Sequence, residues 1–312
     1  MRIGIDIMGG DFAPGVTVSG AIQAQKVLPP DTKLVLIGNK DVFLPLLTAQ
    51  GASPDQFDIV HAPEVIDMGE HPTKAIVKKP RSSIAMGFQM LKENAIAGFA
   101  SAGNSGAMMV GAMYSVKTIP GIIRPAAITT LPKENGKVGF LLDVGINADC
   151  KHDVLHQFGI LGSLFAEHVY KINVPRVGLL NIGEEEEKGS LLAQAAHKIM
   201  KDTPQYKFIG NVEGRDLFND KADVIVSDGF TGNVVLKQAE SFYELIRKRG
   251  IRDEYFDRFN YENYGGTPVI GLNSTVVIGH GISNETAIKN MILITQETAR
   301  ANLTEKIKNL LA

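Results

Sequence analysis

Nine short apolar runs recur along the chain, and they limit its fold more than any other feature of the sequence. Each is five to seven residues long, the usual length of a β-strand. Most do not alternate apolar with polar residues, as expected when both faces of a sheet are covered. The runs are residues 2–7, 33–38, 57–61, 126–131, 138–144, 176–182, 206–212, 222–228 and 274–279.

Helical patterns separate these runs. Ile84, Phe88 and Leu91 follow one another at i, i+4 and i+7, and a longer pattern near the C-terminus predicts one long helix. Alternating strands and helices favour an α/β fold: a three-layer α/β/α sandwich with a largely parallel mixed sheet. The residues of the C-terminal pattern are Ile288, Met291, Thr295, Ala299 and Leu303.

Neither an internal repeat nor a flexible linker divides the chain. We therefore predict a single catalytic α/β/α unit over residues 1–312, either as one body or as two intertwined subdomains with a cleft between them. Charged and aromatic residues crowd together between residues 241 and 264. For that stretch we predict a helical segment that projects from the body.

The composition excludes several classes of protein. The formal net charge is -2, and no basic cluster carries interleaved aromatics, so we expect no nucleic-acid partner. The single cysteine, Cys150, cannot form an internal disulfide, and the start of the chain lacks the layout of a secretory signal. The uncharged stretch 94–116 is only weakly apolar and reads as a packed segment. We expect a cytoplasmic protein, free or peripheral to the inner face of the membrane.

Six loops combine glycine with Asp, Asn or Ser where an apolar run ends. Ligands of open parallel sheets bind beyond the carboxyl ends of the strands, so these loops favour a binding cleft. Taken singly, each loop is more typical of a plain tight connection, and it is the recurrence of six such loops that favours a cleft. The loops are residues 5–15, 99–108, 141–150, 179–190, 210–216 and 225–237.

Two of these loops have the composition of an anion cradle, SAGNSGA (101–107) and DGFTGNVV (228–235). Glycines let backbone N–H groups approach an anion, and a helix start offers unpaired N–H donors. Neither loop matches the motifs of ATP or dinucleotide binding. Asp6, Asp11 and Asp143 have the chemistry of metal ligands or general bases and, alternatively, of residues that cap helices or orient loop backbones. Because no metal-binding spacing is present, we predict no metal.

Histidine and cysteine give weaker indications. His280 follows a predicted strand and precedes a helix cap, where either a functional or a structural role fits. A catalytic role for Cys150 would need a base that the sequence does not place. GxSxG is absent, which leaves a Ser-His-Asp hydrolase without support.

In this order, the loops resemble one family, the bacterial PlsX phosphate acyltransferases. The resemblance spans nearly the whole chain and implies a fold related to phosphotransacetylases and isocitrate-dehydrogenase-like enzymes, in a homodimer. It implies transfer of a fatty acyl group from acyl carrier protein to inorganic phosphate, giving acyl-phosphate for phospholipid synthesis and for a downstream membrane acyltransferase. The matching segments are DIMGGDFAPG, SAGNSGA, LLDVGINADC, RVGLLNIGEEEEKGS, GNVEGRD, DGFTGNVVLK, YGGTPVIGLN and HGISNETAIKN.

The resemblance makes Lys188 and Asn233 the candidates for direct catalysis, and the reaction requires no cofactor. Family members usually carry a longer helical hairpin before YGGTPVIGLN. Here either the hairpin is short or residues near 250 are absent, and neither case supports contact with the membrane surface. The predicted substrate-binding residues are Asp6, Gly10, Asp11, Ser101, Gly103, Asn104, Ser105, Gly106, Asp143, Asn147, Asp228, Gly229, Thr231, Gly232 and His280.

Lys188 ends a run of four glutamates, residues 184–187. We expect a mobile loop that swings the ammonium toward phosphate or the oxyanion while the glutamates stay in water. The competing interpretations are a plain solvated turn and a Lys188–Glu184 ion pair. An acidic carrier protein would dock on basic residues, which equally fit a solvated helix face; the candidates are Lys74, Lys78, Lys79, Arg81, Arg247 and Arg249.

Two further functions fit the same loops. One is a short-chain phosphotransacetylase that uses acyl-coenzyme A. The other is a non-catalytic protein that binds a phosphorylated ligand, which predicts phosphate binding without thioester cleavage.

Overall fold

The computed structural model describes residues 1–311 as strands and helices in alternation. The strands are β1 (Arg2–Asp6), β2 (Lys33–Gly38), β3 (Asp58–His61), β4 (Gly98–Ser101), β5 (Ala126–Pro132), β6 (Val138–Leu142), β7 (Arg176–Leu180), β8 (Lys207–Val212), β9 (Val224–Val226), β10 (Gly266–Ile270) and β11 (Thr275–Gly279). The helices are α1 (Gly15–Gln25), α2 (Lys40–Ala49), α3 (Pro72–Lys78), α4 (Ser83–Lys92), α5 (Ser105–Gly111), α6 (His152–His168), α7 (Leu191–Lys201), α8 (Gly229–Lys248), α9 (Glu254–Asp257), α10 (Glu285–Arg300) and α11 (Leu303–Leu311). All nine predicted strands are confirmed, with ends shifted by up to two residues.

The chain forms two compact units. Unit 1 comprises residues 1–118 and 261–300, and unit 2 comprises residues 119–260 and the segment from 301 onward.

In unit 1 the strand order is β3-β2-β1-β4-β11-β10. All neighbours pair in parallel except β10, which runs antiparallel to β11. Consecutive residues of β4 show that helices cover both faces: Gly98 faces Thr295 of α10, whereas Phe99 faces Gly87 of α4. The apolar run of β2 is buried throughout for this reason.

Unit 2 repeats the arrangement with the order β5-β6-β9-β7-β8. Only β5 is antiparallel to its neighbour. Leu142 packs against Gly162 of α6, while the adjacent Leu141 belongs to the core cluster that Leu236 of α8 covers. Each unit is therefore a three-layer α/β/α sandwich with a mostly parallel sheet, as predicted.

Two strands were not predicted, β4 and β10. β4 has four residues that lead directly into the glycine loop after it, so its apolar signal is short. β10 contains Pro268, a residue that normally argues against a strand interior. Both are short strands whose identity depends on their neighbours in the sheet.

The predicted long C-terminal helix is wrong as a single element. Ile288, Met291 and Thr295 are buried on α10 as expected, but Leu303 begins the separate helix α11. Asn302 lies between the two helices with φ at 52°, a left-handed conformation that ends helical geometry.

The segment predicted to project, residues 241–264, begins as the second half of α8 and then turns back. In α8 only Gly229 and Gly232 are buried. The Tyr255 hydroxyl then donates to the Pro132 carbonyl at 3.2 Å, and the Arg258 guanidinium donates to the Lys133 carbonyl at 2.9 Å. An apolar cavity of 410 Å³ lies beside this segment, lined largely by aromatic side chains of unit 2.

No helix among residues 1–311 is long and apolar enough to span a bilayer. The uncharged stretch 94–116 instead contains β4, α5 and one π-helical turn, Ala112–Val116.

Candidate functional site

The loops that follow β1, β4 and β11 meet at one edge of unit 1, because these three strands are parallel. The Asp11 N–H donates to the Gly281 carbonyl at 2.8 Å, which joins the first loop to the third. Gly10 has φ at 112°, a conformation that favours glycine. The structure thus brings the predicted residues of unit 1 to one edge.

Asp6 holds this edge together. Its buried carboxylate accepts hydrogen bonds from the Met8 N–H at 2.9 Å and from the Ser101 hydroxyl at 2.6 Å. Ser101 in turn accepts from the Gly103 N–H at 2.9 Å. Burial raises the pKa of Asp6 above its ordinary value, against the opposing effect of these bonds. Because Asp6 is enclosed and its oxygens are bonded to the loops, it shapes the loop backbone.

Asn104 is also committed to the protein itself. Its side-chain oxygen accepts from the Ala107 N–H at 2.9 Å and caps α5. Its NH₂ group donates to the carbonyls of Asp67, Met68 and Glu70 at 2.9 to 3.1 Å. Asn104 therefore ties the 67–70 loop to the start of α5, and its predicted contact with substrate stays a prediction.

The remaining predicted residues of unit 1 differ in exposure. Ser105 and Asp11 are exposed. A side chain at Gly106 would meet the Pro72 ring at 2.3 Å, so Gly106 permits close packing. His280 is half-buried, with its ring edge-on to Tyr261 at 5.0 Å between centroids.

The loops after β6, β9, β7 and β8 share one edge of unit 2, since these four strands are parallel. Asp143 is the counterpart of Asp6. Its buried carboxylate accepts from the Ala127 N–H at 2.9 Å and from the backbone and side-chain N–H groups of Asn147 at 2.6 and 2.9 Å. Burial raises the pKa of Asp143 above its ordinary value.

The start of α8 is built against this carboxylate. Asp228 caps the helix by accepting from the Thr231 N–H and hydroxyl, each at 2.8 Å. A side chain at Gly232 would meet the Asp143 carbonyl oxygen at 2.0 Å, so only glycine fits there. Asn233 follows one residue later and is exposed, with its side chain beside Gly145. The first turn of α8 thus presents a carboxamide next to a glycine turn.

Cys150 lies near this edge and is half-buried. Burial, together with the negative charges of Asp228 and Asp143, raises the pKa of its thiol to about 12. A thiol with that pKa is protonated at neutral pH and is a poor nucleophile. The structure gives Cys150 no catalytic role.

Residues 182–189, here called the Lys188 loop, connect β7 to α7. Two of the four glutamates are paired rather than merely solvated: Glu184 with Lys221 at 2.6 Å and Glu186 with Lys201 at 2.5 Å. Within the described residues 1–311, no ion pair involves Lys188, which is exposed. The competing Lys188–Glu184 pair is therefore wrong.

Side-chain amides hold several backbone carbonyls of the loop, and the predicted mobility of the loop stays a prediction. Asn181 donates to the Lys188 carbonyl at 3.1 Å, and Gln194 donates to the Glu187 and Gly189 carbonyls at 2.8 and 3.1 Å. Ser190 caps α7 by accepting from the Ala193 N–H at 3.2 Å. The loop backbone is therefore braced by hydrogen bonds at several points, and the exposed lysine extends from it.

Sequence reasoning missed one set of residues at this edge. Asn211, at the end of β8, donates to the Glu185 carbonyl at 2.8 Å and contacts Nδ1 of His197 at 3.0 Å. Asn211 and His197 are both buried. Their only signal in the sequence is a polar residue near the carboxyl end of a predicted strand and one on a predicted helix.

The basic clusters differ in how much charge they leave available. In unit 1, Lys79 pairs with Glu70 and donates to the Val65 carbonyl at 2.6 Å, whereas Lys74, Lys78 and Arg81 are exposed.

In unit 2, Arg247 lies 3.6 Å from Asp257 and donates to the Tyr243 hydroxyl at 3.1 Å. Arg249 is exposed, and across the described chain it enters no ion pair. The same part of the chain contains no group of three or more His, Cys, Asp or Glu side chains arranged to hold a metal ion.

The chain is similar to known proteins along nearly its whole length. The family described as "Fatty acid synthesis protein" matches residues 1–306. The phosphate acyltransferase of Dictyoglomus turgidum is 38% identical over 326 residues, covering 98% of this chain and 96% of that protein. The phosphate acyltransferase of Heliobacterium modesticaldum is 42% identical over 330 residues, covering 99% and 97%. Both alignments exceed the 312 residues of this chain, so the relatives contain residues that it lacks.

Solved structures share the fold at low sequence identity. A phosphotransacetylase from Streptococcus pyogenes has a TM-score of 0.72 at 18% identity, covering 96% of this chain and 94% of that chain. A branched-chain phosphotransacylase from Enterococcus faecalis has a TM-score of 0.66 at 12% identity, covering 96% and 99%. The predicted fold class is confirmed.

Fold and sequence together define an acyltransferase that uses phosphate. The chain belongs to the PlsX family of phosphate acyltransferases.

Proposed function

We propose that this protein transfers a fatty acyl group from the thioester of acyl carrier protein to inorganic phosphate, releasing acyl-phosphate for phospholipid synthesis. Family membership over nearly the full chain supports transfer to phosphate. The observation that carries the assignment of roles is the Lys188 loop, where two glutamates have lysine partners and Lys188 has none within the described chain.

The reaction asks little of an acid or a base. A phosphate oxygen forms a bond to the thioester carbonyl carbon, the C–S bond breaks, and the sulfur leaves as thiolate. The pKa of a thiol, about 8.5, permits that departure near neutral pH. The costly steps are bringing an anion to the carbonyl and stabilising the tetrahedral oxyanion. One oxyanion donor contributes about 3 to 4 kcal/mol, so this chemistry requires neither metal nor cofactor.

Lys188 neutralises the charge of phosphate or of the oxyanion in this proposal. Asn233, exposed on the first turn of α8, donates a hydrogen bond to the same oxygens. The other predicted substrate-binding residues act through backbone N–H groups: Asp6 and Asp143 hold the glycine turns that offer them. Both carboxylates are buried and bonded to the loops, and burial raises their pKa values.

Acyl carrier protein is acidic, and we assign its docking to exposed basic residues. Lys74, Lys78, Arg81 and Arg249 are exposed and carry no ion pair in the described part of the chain, whereas Lys79 is paired with Glu70 and Arg247 lies 3.6 Å from Asp257. Among them we test the cluster that Lys74, Lys78 and Arg81 form along the chain. Reversing Lys74 and Lys78 to glutamate should raise the KM for the carrier at low salt and leave the KM for phosphate unchanged. An unchanged carrier KM would remove this cluster from the proposal.

The predicted homodimer is part of the proposal as well. α8 exposes Phe230, Val234, Phe242 and Leu245, each more than half exposed, and exposed apolar faces of this kind commonly mark protein interfaces. Light scattering of the purified protein measures its oligomeric state directly. A monomer at all accessible concentrations would reject the dimer.

One assay decides the substrate. Loss of the palmitoyl thioester of acyl carrier protein should depend on added phosphate and yield acyl-phosphate, which hydroxylamine traps as a hydroxamate. Acetyl-coenzyme A should be a poor donor. Preference for acetyl-coenzyme A would instead show a short-chain phosphotransacetylase, and saturable phosphate binding without thioester loss would show a binding protein.

A further inference from the structure

The Lys188 loop is held by side-chain amides at nearly every carbonyl around the lysine. Carbonyls of residues 185, 187, 188 and 189 each accept a hydrogen bond from an Asn or Gln side chain. Amide donors satisfy carbonyls without placing a charge beside the ammonium. A loop that only connected a strand to a helix would not need four such bonds.

Asn211 provides the deepest of these contacts. It is 2% exposed, and its NH₂ group reaches the Glu185 carbonyl, which also accepts from the Lys188 N–H at 3.1 Å. One carbonyl thus links the backbone of Lys188 to a side chain fixed in β8. Displacing that carbonyl would displace Lys188.

His197 fixes the orientation of Asn211. Since the Asn211 NH₂ group is used on the Glu185 carbonyl, its oxygen faces His197, and Nδ1 of the imidazole is the donor. His197 is 5% exposed on α7, with its ring edge-on to Phe208. The imidazole is enclosed, with Nδ1 hydrogen-bonded to Asn211 and Nε2 at 3.9 Å from Glu186 of the Lys188 loop, so its hydrogen bond to the loop framework runs through Asn211.

Gln194 secures the other side of the loop. From the first turns of α7 it donates to the carbonyls on either side of Lys188, those of Glu187 and Gly189. The stem of Lys188 lies against Gly183, where an added methyl group would come within 3.0 Å of the lysine Cγ. Both the backbone and the stem of Lys188 therefore have partners within the protein.

We propose that Asn211, oriented by His197, and Gln194 are positioning residues that fix the backbone of Lys188 for acyl transfer to phosphate. The proposal rests on the role assigned to Lys188 in the proposed function. It replaces the predicted swinging loop with a preset one, in which the ammonium is placed before the substrate binds. Misplacement of a catalytic group by about 1 Å can lower a rate by roughly 100-fold.

The test combines two measurements on the full-length protein. Gln194→Met and Asn211→Ser each remove amide donors, and Gln157→Met is the matched control. Gln157 also donates to a loop carbonyl in unit 2, that of Gly121 at 2.7 Å, far along the chain from the Lys188 loop. Hydrogen exchange of residues 182–189 should speed up at least 10-fold in the first two variants and remain unchanged in the control.

The second measurement is a double-mutant cycle with Lys188→Met. Gln194→Met should lower kcat for phosphate-dependent thioester loss about 10-fold in the wild-type background and have little further effect when Lys188 is already absent. Gln194→Met is the primary probe because the residue is only half-buried, so the fold should tolerate the change.

The outcomes separate the two proposals. Unchanged exchange of the loop overturns the positioning role, whatever the activity. An equal fall in kcat with and without Lys188 overturns it too, because the effect would then bypass the lysine. Absence of phosphate-dependent thioester loss in the wild type overturns the proposed function instead, and the exchange result still reports on whether these amides hold the loop.

Discussion

Asp6 in unit 1 and Asp143 in unit 2 do the same work. Each lies at the end of a strand, is buried, accepts N–H or O–H groups of its own loops, and has a pKa raised by burial. Each is also approached by a glycine: a side chain at Gly9 would meet Asp6 Oδ2 at 2.4 Å, and one at Gly229 would meet Asp143 Oδ2 at 2.7 Å. The two units use one device to shape a glycine turn.

What differs is the polar side chain next to each turn. In unit 1, the side-chain amide of Asn104 is hydrogen-bonded to α5 and to three carbonyls of the 67–70 loop. In unit 2, Asn233 and Lys188 are exposed beside comparable turns. The difference teaches that an Asn in a glycine loop is not diagnostic by itself, because the same residue type builds the loop in one unit and has an exposed side chain in the other.

The largest expected effect is on turnover through Asn233. Asn233→Ala should lower kcat about 100- to 1000-fold, the range for losing one donor to an oxyanion, with the melting temperature unchanged because the side chain is exposed. Steady-state assays with palmitoyl-carrier and phosphate measure it. Gln238→Ala, exposed on the same helix, is the control and should behave as wild type. Near-normal turnover of Asn233→Ala would contradict a catalytic role for Asn233, and with it the functional difference from Asn104.

Substitutions of glycine test whether the carboxylates of Asp6 and Asp143 shape the glycine turns beside them. Gly232→Ala and Gly9→Ala should each lower the free energy of unfolding by about 1 to 3 kcal/mol, because the new methyl group meets fixed polar atoms. Urea denaturation measures the change. Gly214→Ala and Gly15→Ala are matched controls in the same units, since a methyl group there meets no atom within 4 Å. Equal stability of test and control variants would contradict the shared device.

Asn104 should matter for stability. Asn104→Ala removes a helix cap and three hydrogen bonds, so the free energy of unfolding should fall by about 2 kcal/mol. Asn39→Ala removes only the exposed cap of α2 and should cost about 1 kcal/mol or less. Thermal or urea unfolding compares the two. A smaller loss of unfolding free energy for Asn104→Ala than for Asn39→Ala would show that Asn104 does not hold the 67–70 loop to α5.

The smallest expected effect is on the pH dependence of folding stability. The contributions of Asp143 and Asp223 to stability should change with pH in opposite directions. The pKa of Asp143 is raised, so its contribution to stability is complete below about pH 4 and is lost as pH rises through its folded pKa. Burial also acts to raise the pKa of Asp223, but hydrogen bonds from Arg176 and Lys133 outweigh it and lower that pKa. Its contribution is therefore present above about pH 4 and is lost as pH falls.

Urea unfolding between about pH 3.5 and pH 5 should show this. The stability of the wild type relative to Asp143→Asn should fall with rising pH, and relative to Asp223→Asn it should rise. The slope matters rather than the offset, since each substitution also alters hydrogen bonds. Two slopes of the same sign would show that burial does not raise the pKa of the Asp143 carboxyl group.

Much of the fold follows from local sequence. Runs such as residues 33–38 predict buried strands because their apolar residues do not alternate, and Ile84, Phe88 and Leu91 predict the buried face of α4. β4, β10 and the break at Asn302 could not be predicted in the same way. The two strands are set by their neighbours in the sheet, and the break is a single backbone conformation.

The site was predictable at the level of loops and not of contacts. The loops that follow parallel strands meet at one edge of the sheet. The sequence therefore predicted that Asp143, Asp228 and Asn233 lie at the same edge. The partners of the glutamate run, Lys201 and Lys221, lie on a helix and on a loop whose placement depends on tertiary packing. The contact between Asn211 and Glu185 likewise requires the register of β7 on β8.

The central claim is that an unpaired lysine, held on a braced loop, supplies the positive charge for acyl transfer to phosphate. Phosphate-dependent loss of palmitoyl thioester by Lys188→Met, set beside Lys201→Met from the neighbouring ion pair, tests it most directly. The account predicts about a 100-fold or greater fall in kcat for Lys188→Met at an unchanged melting temperature, and near-normal turnover for Lys201→Met. Comparable turnover of the two folded variants would contradict it.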